Sequence, residues 1–526
     1  MDTSASSSAS NNHRPFRLFS LRTLGCFVVG VVAIATLVGL FFVEEDWRGK
    51  HAWENYESEA EARGVDLNFA DFIPAPVPDD QNFAMTPFLK PLFDFNPKPL
   101  QPGQSAWRDT NGYNRIMNFA TNRNLNGPSQ SALSVIGSGH LANLPAIAGK
   151  MANLKDAQTN SLTSSAAAQI VLDNLAQYQP VLDEINDASH RPYIRFNIGY
   201  NDEDPAAILL PHLAVIKRLT MVYQLQASAN LALNRTDAAA ADEKIIFYLA
   251  NAFPHEPFMI SILVRCAELA IDRQVIWEGL AQGKWSDAQL QEFEERYRKL
   301  DFARDARQSL DSERAAFGVR LFDYIRANPS FLGSISDDSS QLGNLFSFVP
   351  KGWIYLEQVS YNRGFDRYVL PGFDPRTGQA FPKEIEKAGK PESQNPMAHL
   401  LHHDILISML LPSVEKFYPK IAIAETGVNE TIAACAIERY RLANGKLPDT
   451  LDQLVPKFLD QVPMDVCNGK PLIYHPGEGR NFTLYSVGWN QTDDGGKTVH
   501  NSTKTENSAS PIPSEGDWVW PSYAGE

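Results

Sequence analysis

The sequence predicts a mainly α-helical protein with one N-terminal transmembrane helix and a small C-terminal α+β module. Three observations carry that expectation. Leu24–Val43, LGCFVVGVVAIATLVGLFFV, contains no charged residue, and a helix of that length matches the ~30 Å hydrocarbon core of a bilayer. Between Pro205 and Arg326 apolar residues recur at three- and four-residue spacing, the period of helices that bury one face. After Asn444-Gly445 the pattern shifts to short β-branched and aromatic runs, PLIYH and NFTLYSVG, joined by the turn residues PGEGR.

At 526 residues the chain exceeds what one hydrophobic core serves, since single cores stop growing near ~250–300 residues. The expected order is a tail (1–23), the anchor (24–43), a membrane-proximal helix with a Pro-rich strap (44–130), a helical domain (131–330), an irregular connection (331–395), and a long helix leading into the α+β module (396–526). A formal net charge of −15 argues against a nucleic-acid partner, because phosphate binding needs clustered Lys and Arg. The four cysteines, Cys26, Cys266, Cys435 and Cys467, are too few and too scattered for a disulfide framework or a zinc site. Cys266 and Cys435 fall in helical patterns and read as buried free thiols, although one pair could oxidise outside the cytoplasm.

Arg14, Arg17 and Arg22 precede the apolar run, while Glu44, Glu45 and Asp46 follow it. The positive-inside rule then puts the N-terminus in the cytoplasm and the bulk of the chain in the periplasm of a bacterial inner membrane, with the lipid bilayer as partner through residues 24–43. A cleaved signal peptide is the competing reading, but no small-x-small site precedes EEDW. In a lipoprotein the apolar region precedes the cysteine, whereas here it follows Cys26. Nor does a pilin-type glutamate open the apolar helix.

Past the anchor, WRGKHAWENYESEAEAR (Trp47–Arg63) is expected to be a separate polar helix closed by Gly64. Its Trp47, Trp53 and Tyr56 suit either a membrane interface or packing on the ectodomain. Residues 72–103 carry too many prolines for helix and too many Phe and Leu for a solvated linker, so an extended strap over a helical body is expected. Thr236 with Asp237, and Ser286 with Gln289, mark helix starts. NLALNRTDAAAADEKIIFYL resembles a tetratricopeptide-type hairpin, but no second copy follows at that period, so antiparallel helical hairpins are the expectation. Residues 327–395 are Gly-, Pro- and Ser-rich, with helix possible around Trp353–Val359; a long helix from about Met397 comes next, with Pro412 and Pro419 as candidate breaks.

The closing segment resembles the globular head of type II secretion pseudopilins of the major, G-type class. The resemblance rests on Tyr440…Asn444-Gly445…Pro448, Leu451…Leu454-Val455-Pro456, Pro463…Asp465 with Gly469-Lys470-Pro471, and Leu484-Tyr485-Ser486-Val487-Gly488 before Asp493-Asp494-Gly495-Gly496. It covers roughly the last fifth of the chain. The chain as a whole also resembles a group of uncharacterised membrane-anchored proteins of Verrucomicrobia-type bacteria, which implies no chemistry. The pseudopilin resemblance implies a calcium ion (Ca2+) held by Asp494 and Asp517, with Asp493 the alternative and carbonyls near Leu484 and Val487 assisting. An Asx-stabilised polar turn without metal is the competing reading. Residues 497–516 form a Ser/Thr/Asn-rich spacer longer than the family's loop, which puts the return of Asp517 in question.

Other candidates for chemistry are thin. HLLHHDI would place His399 and His403 on one face of a helix, but Leu400 stands where a zinc peptidase needs its glutamate. SVIGSGH (Ser134–His140) lacks the strand-turn-helix frame of a nucleophile elbow. Glu294-Glu295 and Asp79-Asp80 read as solvated or strap carboxylates. The expected function is therefore that of a non-enzymatic interaction or structural protein of the envelope with an unidentified protein partner. An accessory protein of a secretion apparatus and an anchored metal-dependent hydrolase are the alternatives.

Overall fold

The computed structural model describes residues 21–96, 100–122, 139–202, 204–253, 256–328, 331, 349–388, 399, 402–500 and 511–522. These are mostly helical, with few strands. They divide into two compact units: Met1–Ser58 with Ile325–Val359, and Glu59–Tyr324 with Ser360–Glu526.

In the first unit the anchor and the polar helix form one element, Leu21–Ala62, of 42 residues. The junction at Glu44–Asp46 holds no Gly or Pro, so nothing in the sequence stops the helix where the lipid core would end. The side chains from Leu24 to Val43 stand exposed around the helix, with Phe27 and Val29 each 69 % accessible. The aromatic residues beyond the anchor divide between the two roles open to them. Trp47 is 67 % exposed, while Trp53 and Tyr56 are buried and stack on each other. A second helix, Lys351–Gly364, contains and extends the Trp353–Val359 run where helix is expected within a Gly-, Pro- and Ser-rich stretch. Its start meets the anchor helix where neither carries a side chain: a Cβ on Gly49 would fall 2.1 Å from the Gly352 carbonyl oxygen. The Gly352 N–H donates to Asp46 Oδ1 at 2.8 Å, and Trp353 Nε1–H donates to the buried Glu45 carboxylate at 3.1 Å.

The second unit is built on helical hairpins. Helices Pro211–Ala232 and Thr236–Ala250 are joined through Asn234 in a left-handed turn and pack as neighbours. Helix Met259–Gln282 packs on both, and Asp287–Tyr297 starts at the capping box that Ser286 and Gln289 form. Helix 211–232 is itself apolar enough to cross a membrane, but half of its apolar window is buried and it carries buried His212, Arg218, Thr220, Gln224 and Asn230. It is the core of this body, whereas the apolar window of the Leu21–Ala62 helix is entirely uncovered.

The strap is not extended. It winds through short 3₁₀ turns at Phe69–Phe72, Asp79–Gln81, Phe83–Met85 and Lys90–Leu92. Asn residues start two of these turns by accepting an N–H two residues on, which lets a proline-rich segment reverse without helix. Asn82 also exchanges hydrogen bonds with the Arg195 backbone, seating Phe83 edge-on against Tyr248.

The long helix runs from Ile405 through Pro412 and Pro419 to Asn444, where Gly445 caps it at φ +74°; the expected start near Met397 lies outside the described residues. It packs on helices 259–282 and 287–297. Beyond it, a 3₁₀ turn at Leu451–Leu454 leads to a three-stranded antiparallel sheet. Strand β1 (Ile473–Pro476) pairs with β2 (Phe482–Ser486), Ile473 facing Tyr485. Strands β3 (Thr498–His500) and β4 (Pro511–Gly516) form a separate ribbon, and β5 (Trp518–Val519) returns to β2.

Candidate functional site

The loop after β2 is the first place to look. Gly495 and Gly496 both hold φ +74°, a left-handed conformation that glycine adopts freely. Two such residues in succession turn neighbouring N–H groups to one side, forming a concavity for an anion. Asp517 fills it. Although it lies beyond the long spacer, its carboxylate comes back to the loop and accepts from Gly496 N–H at 2.7 Å, Asp494 N–H at 3.1 Å and Lys497 N–H at 3.3 Å. Its side chain is fully buried. Burial raises the Asp517 carboxyl above its ordinary value, and the three amides pull it back.

The other residues implied as calcium ligands are turned to different tasks. The Asp493 carboxylate accepts from the Tyr485 hydroxyl at 3.0 Å and from Gly495 N–H at 2.9 Å. Asp494 accepts from Asn490 Nδ2 at 3.1 Å. The Leu484 carbonyl receives Trp520 N–H at 2.9 Å as part of the sheet. Calcium needs six to eight oxygens aimed inward, whereas here the positive ends of amide dipoles converge. Among the described residues no three His, Cys, Asp or Glu side chains gather where they could hold a metal ion. The arrangement does not fit the ion that the resemblance implies.

A second carboxylate staples the module from below. Asp465, fully buried, accepts from Cys467 N–H and Ser486 Oγ–H, both at 2.8 Å, and from Val487 N–H at 2.9 Å. It thereby ties the segment before β1 to the end of β2.

The histidines do not form a pair. His403 takes φ +52°, so the helix is interrupted there and His399 and His403 do not share a helical face. His399 Nδ1 instead lies 2.8 Å from Asp404 Oδ1. The Ser134–Ser138 part of SVIGSGH lies outside the described residues. Cys435 and Cys467 are buried free thiols and Cys266 is a partly buried one, its pKa pushed up to about 12 by burial.

Sequence reasoning missed the acidic groups inside the helical body. Asp79 and Asp80 are exposed as expected, but Glu294 is buried and pairs with Arg439 of the long helix at 2.9 Å. Glu243 and Asp272, from helices 236–250 and 259–282, are fully buried and within hydrogen-bonding reach of each other. Arg296 donates to Glu243, and the Tyr297 hydroxyl donates to Asp272 at 2.7 Å. Burial pushes both carboxyls upward; Glu243 raises Asp272 further, whereas Arg296 and the bond from Asp272 pull Glu243 back, so the proton the two carboxyls share sits on Asp272. Glu268 lies nearby in sequence with both oxygens buried and without a hydrogen-bond partner among the described residues. Only helical period could have signalled burial here, and an Asp242-Glu243-Lys244 run masks it by resembling a solvated face.

What these parts define is a mostly helical protein with an apolar N-terminal helix and a small C-terminal strand module whose loop is closed from within. Compared with protein families, curated proteins and solved structures, the chain matches none.

Proposed function

We propose that the chain is a single-pass inner-membrane protein, with its N-terminus in the cytoplasm and its helical bulk in the periplasm, that works by holding an envelope protein partner rather than by catalysis. The observation that carries this reading is the apolar surface of residues 24–43, uncovered on every side in a helix that continues to Ala62. A surface of that size is stable only in lipid. The buried acidic set supports the non-catalytic part. Glu243, Asp272 and Tyr297 have no solvent exposure and bond within the body, to Arg296 and to one another, as a packing set does.

Carbonate extraction and protease protection test the reading together. The full chain stays with the membrane at alkaline pH, and in spheroplasts added protease digests the bulk while sparing the N-terminal tail. Release by carbonate, or digestion of the tail alone, overturns it. A narrower reading, an accessory of a secretion apparatus, is favoured by the helix–turn–hairpin order from Ile405 to Ser486, the order the pseudopilin resemblance implies. Site-specific cross-linking from β1 to a pseudopilin supports that version, and cross-links confined to other envelope proteins count against it.

A further inference from the structure

The misfit between the Asp493–Lys497 loop and a calcium site carries an inference of its own. A cation site gathers oxygens, but this loop gathers N–H groups. Asp494, Gly496 and Lys497 aim their amides at one carboxylate, and the two left-handed glycines hold them there. The loop's own acidic side chains are held elsewhere, Asp493 by Tyr485 and Asp494 by Asn490. We propose that Asp517 is a built-in anion that occupies this loop in place of a metal ion, latching the C-terminal tail without calcium.

The latch sets the path of the last residues of the tail. Directly after Asp517, Trp518 and Trp520 are buried, and Trp520 N–H joins the sheet at the Leu484 carbonyl. One residue on, the Pro521 carbonyl accepts Trp277 Nε1–H from helix 259–282 at 2.8 Å. The Ser522 carbonyl lies where a Cβ on Gly139 would be 2.9 Å away. Asp517 thus fixes the start of a segment that ties the strand module to the helical body. Asp494 reaches Asp517 by hydrogen bond through its backbone N–H, and its side-chain charge acts on Asp517 only by raising its pKa.

Hydrogen–deuterium exchange of residues 511–522 in the full-length protein in detergent tests this, with excess calcium or with EGTA. The wild-type tail is expected to exchange at the same rate in both. Asp517→Asn, which turns an NH2 group toward the amides, is expected to speed tail exchange about tenfold or more in either condition, the scale set by losing a charge-assisted hydrogen-bond set. Asp494→Ala keeps the amide and is expected to change the rate by less than about twofold. Calcium-dependent slowing in the wild type that Asp494→Ala abolishes overturns the proposal, as does an Asp517→Asn tail as protected as the wild type. Should Asp517→Asn fail to fold, the wild-type comparison with EGTA and the Asp494→Ala rate decide between the two readings.

Discussion

In the helical body, neither buried carboxylate oxygen of Glu268 has a hydrogen-bond partner among the described residues, and Glu243 and Asp272 turn to each other. In the strand module, Asp465 and Asp517 are equally buried, yet each accepts three donors from the backbone or a hydroxyl. The difference follows from secondary structure. Inside a helix every N–H is already committed to a carbonyl four residues back, so a carboxylate facing a helix bundle meets few donors and lowers its energy by keeping a proton. Turns and strand ends leave N–H groups over, and a carboxylate placed there can remain an acceptor. One residue type is thus tolerated in two interiors by two means.

The contrast can be broken most severely in the module. Asp465→Ala strands the N–H groups of Cys467 and Val487 and the Ser486 hydroxyl, with a loss of about 3 kcal/mol or more expected from urea unfolding of the full chain. A loss below ~1 kcal/mol would mean that water replaces the carboxylate. In the body, Arg296→Ala removes the cation beside Glu243, and breaking a buried pair from one side costs about 3 kcal/mol. Asp272→Asn should cost less, under about 1.5 kcal/mol, because the amide mimics the carboxyl of the pair that already carries the proton. If Asp272→Asn costs more than Arg296→Ala, the aspartate is ionised and the account of the body is wrong. Asp460→Ala calibrates the scale: its carboxylate is 86 % exposed beside Arg298, so a change within about 0.5 kcal/mol is expected.

Much of this architecture was legible in the residues. The uncharged Leu24–Val43 run, the three- and four-residue spacing of the body and the PLIYH–PGEGR–NFTLYS hairpin each follow from local chemistry, and each has its counterpart in the structure. What stayed hidden depended on neighbours far along the chain. The join of anchor and polar helix needed only the absence of a stop signal, and absence is easily overlooked. Helix 351–364 was legible only over Trp353–Val359, its ends obscured by the Gly, Pro and Ser around it. The left-handed His403 has no local signature, since histidine, although enriched at positive φ, takes helical φ far more often. The return of Asp517 across a spacer of Ser, Thr and Asn is a long-range closure that no window of sequence contains. The carboxylate pair at Glu243 and Asp272 likewise exists only once two helices have packed.

The claim that the body holds its acids by protons has a definite sign. Burial pushes Glu313 and Glu425 up to about 7, and Asp242 and Glu430 up to about 8. In the unfolded chain these groups titrate near ~4. Between those values the folded state keeps protons that the unfolded state has released, so stability is fully present at the acid end and is lost as pH rises through the folded values. The most direct measurement is the thermal unfolding midpoint of the full chain in detergent between about pH 5 and about pH 8, at constant ionic strength. A midpoint that falls steadily across that range is the predicted result, and one that stays level or rises would contradict the account.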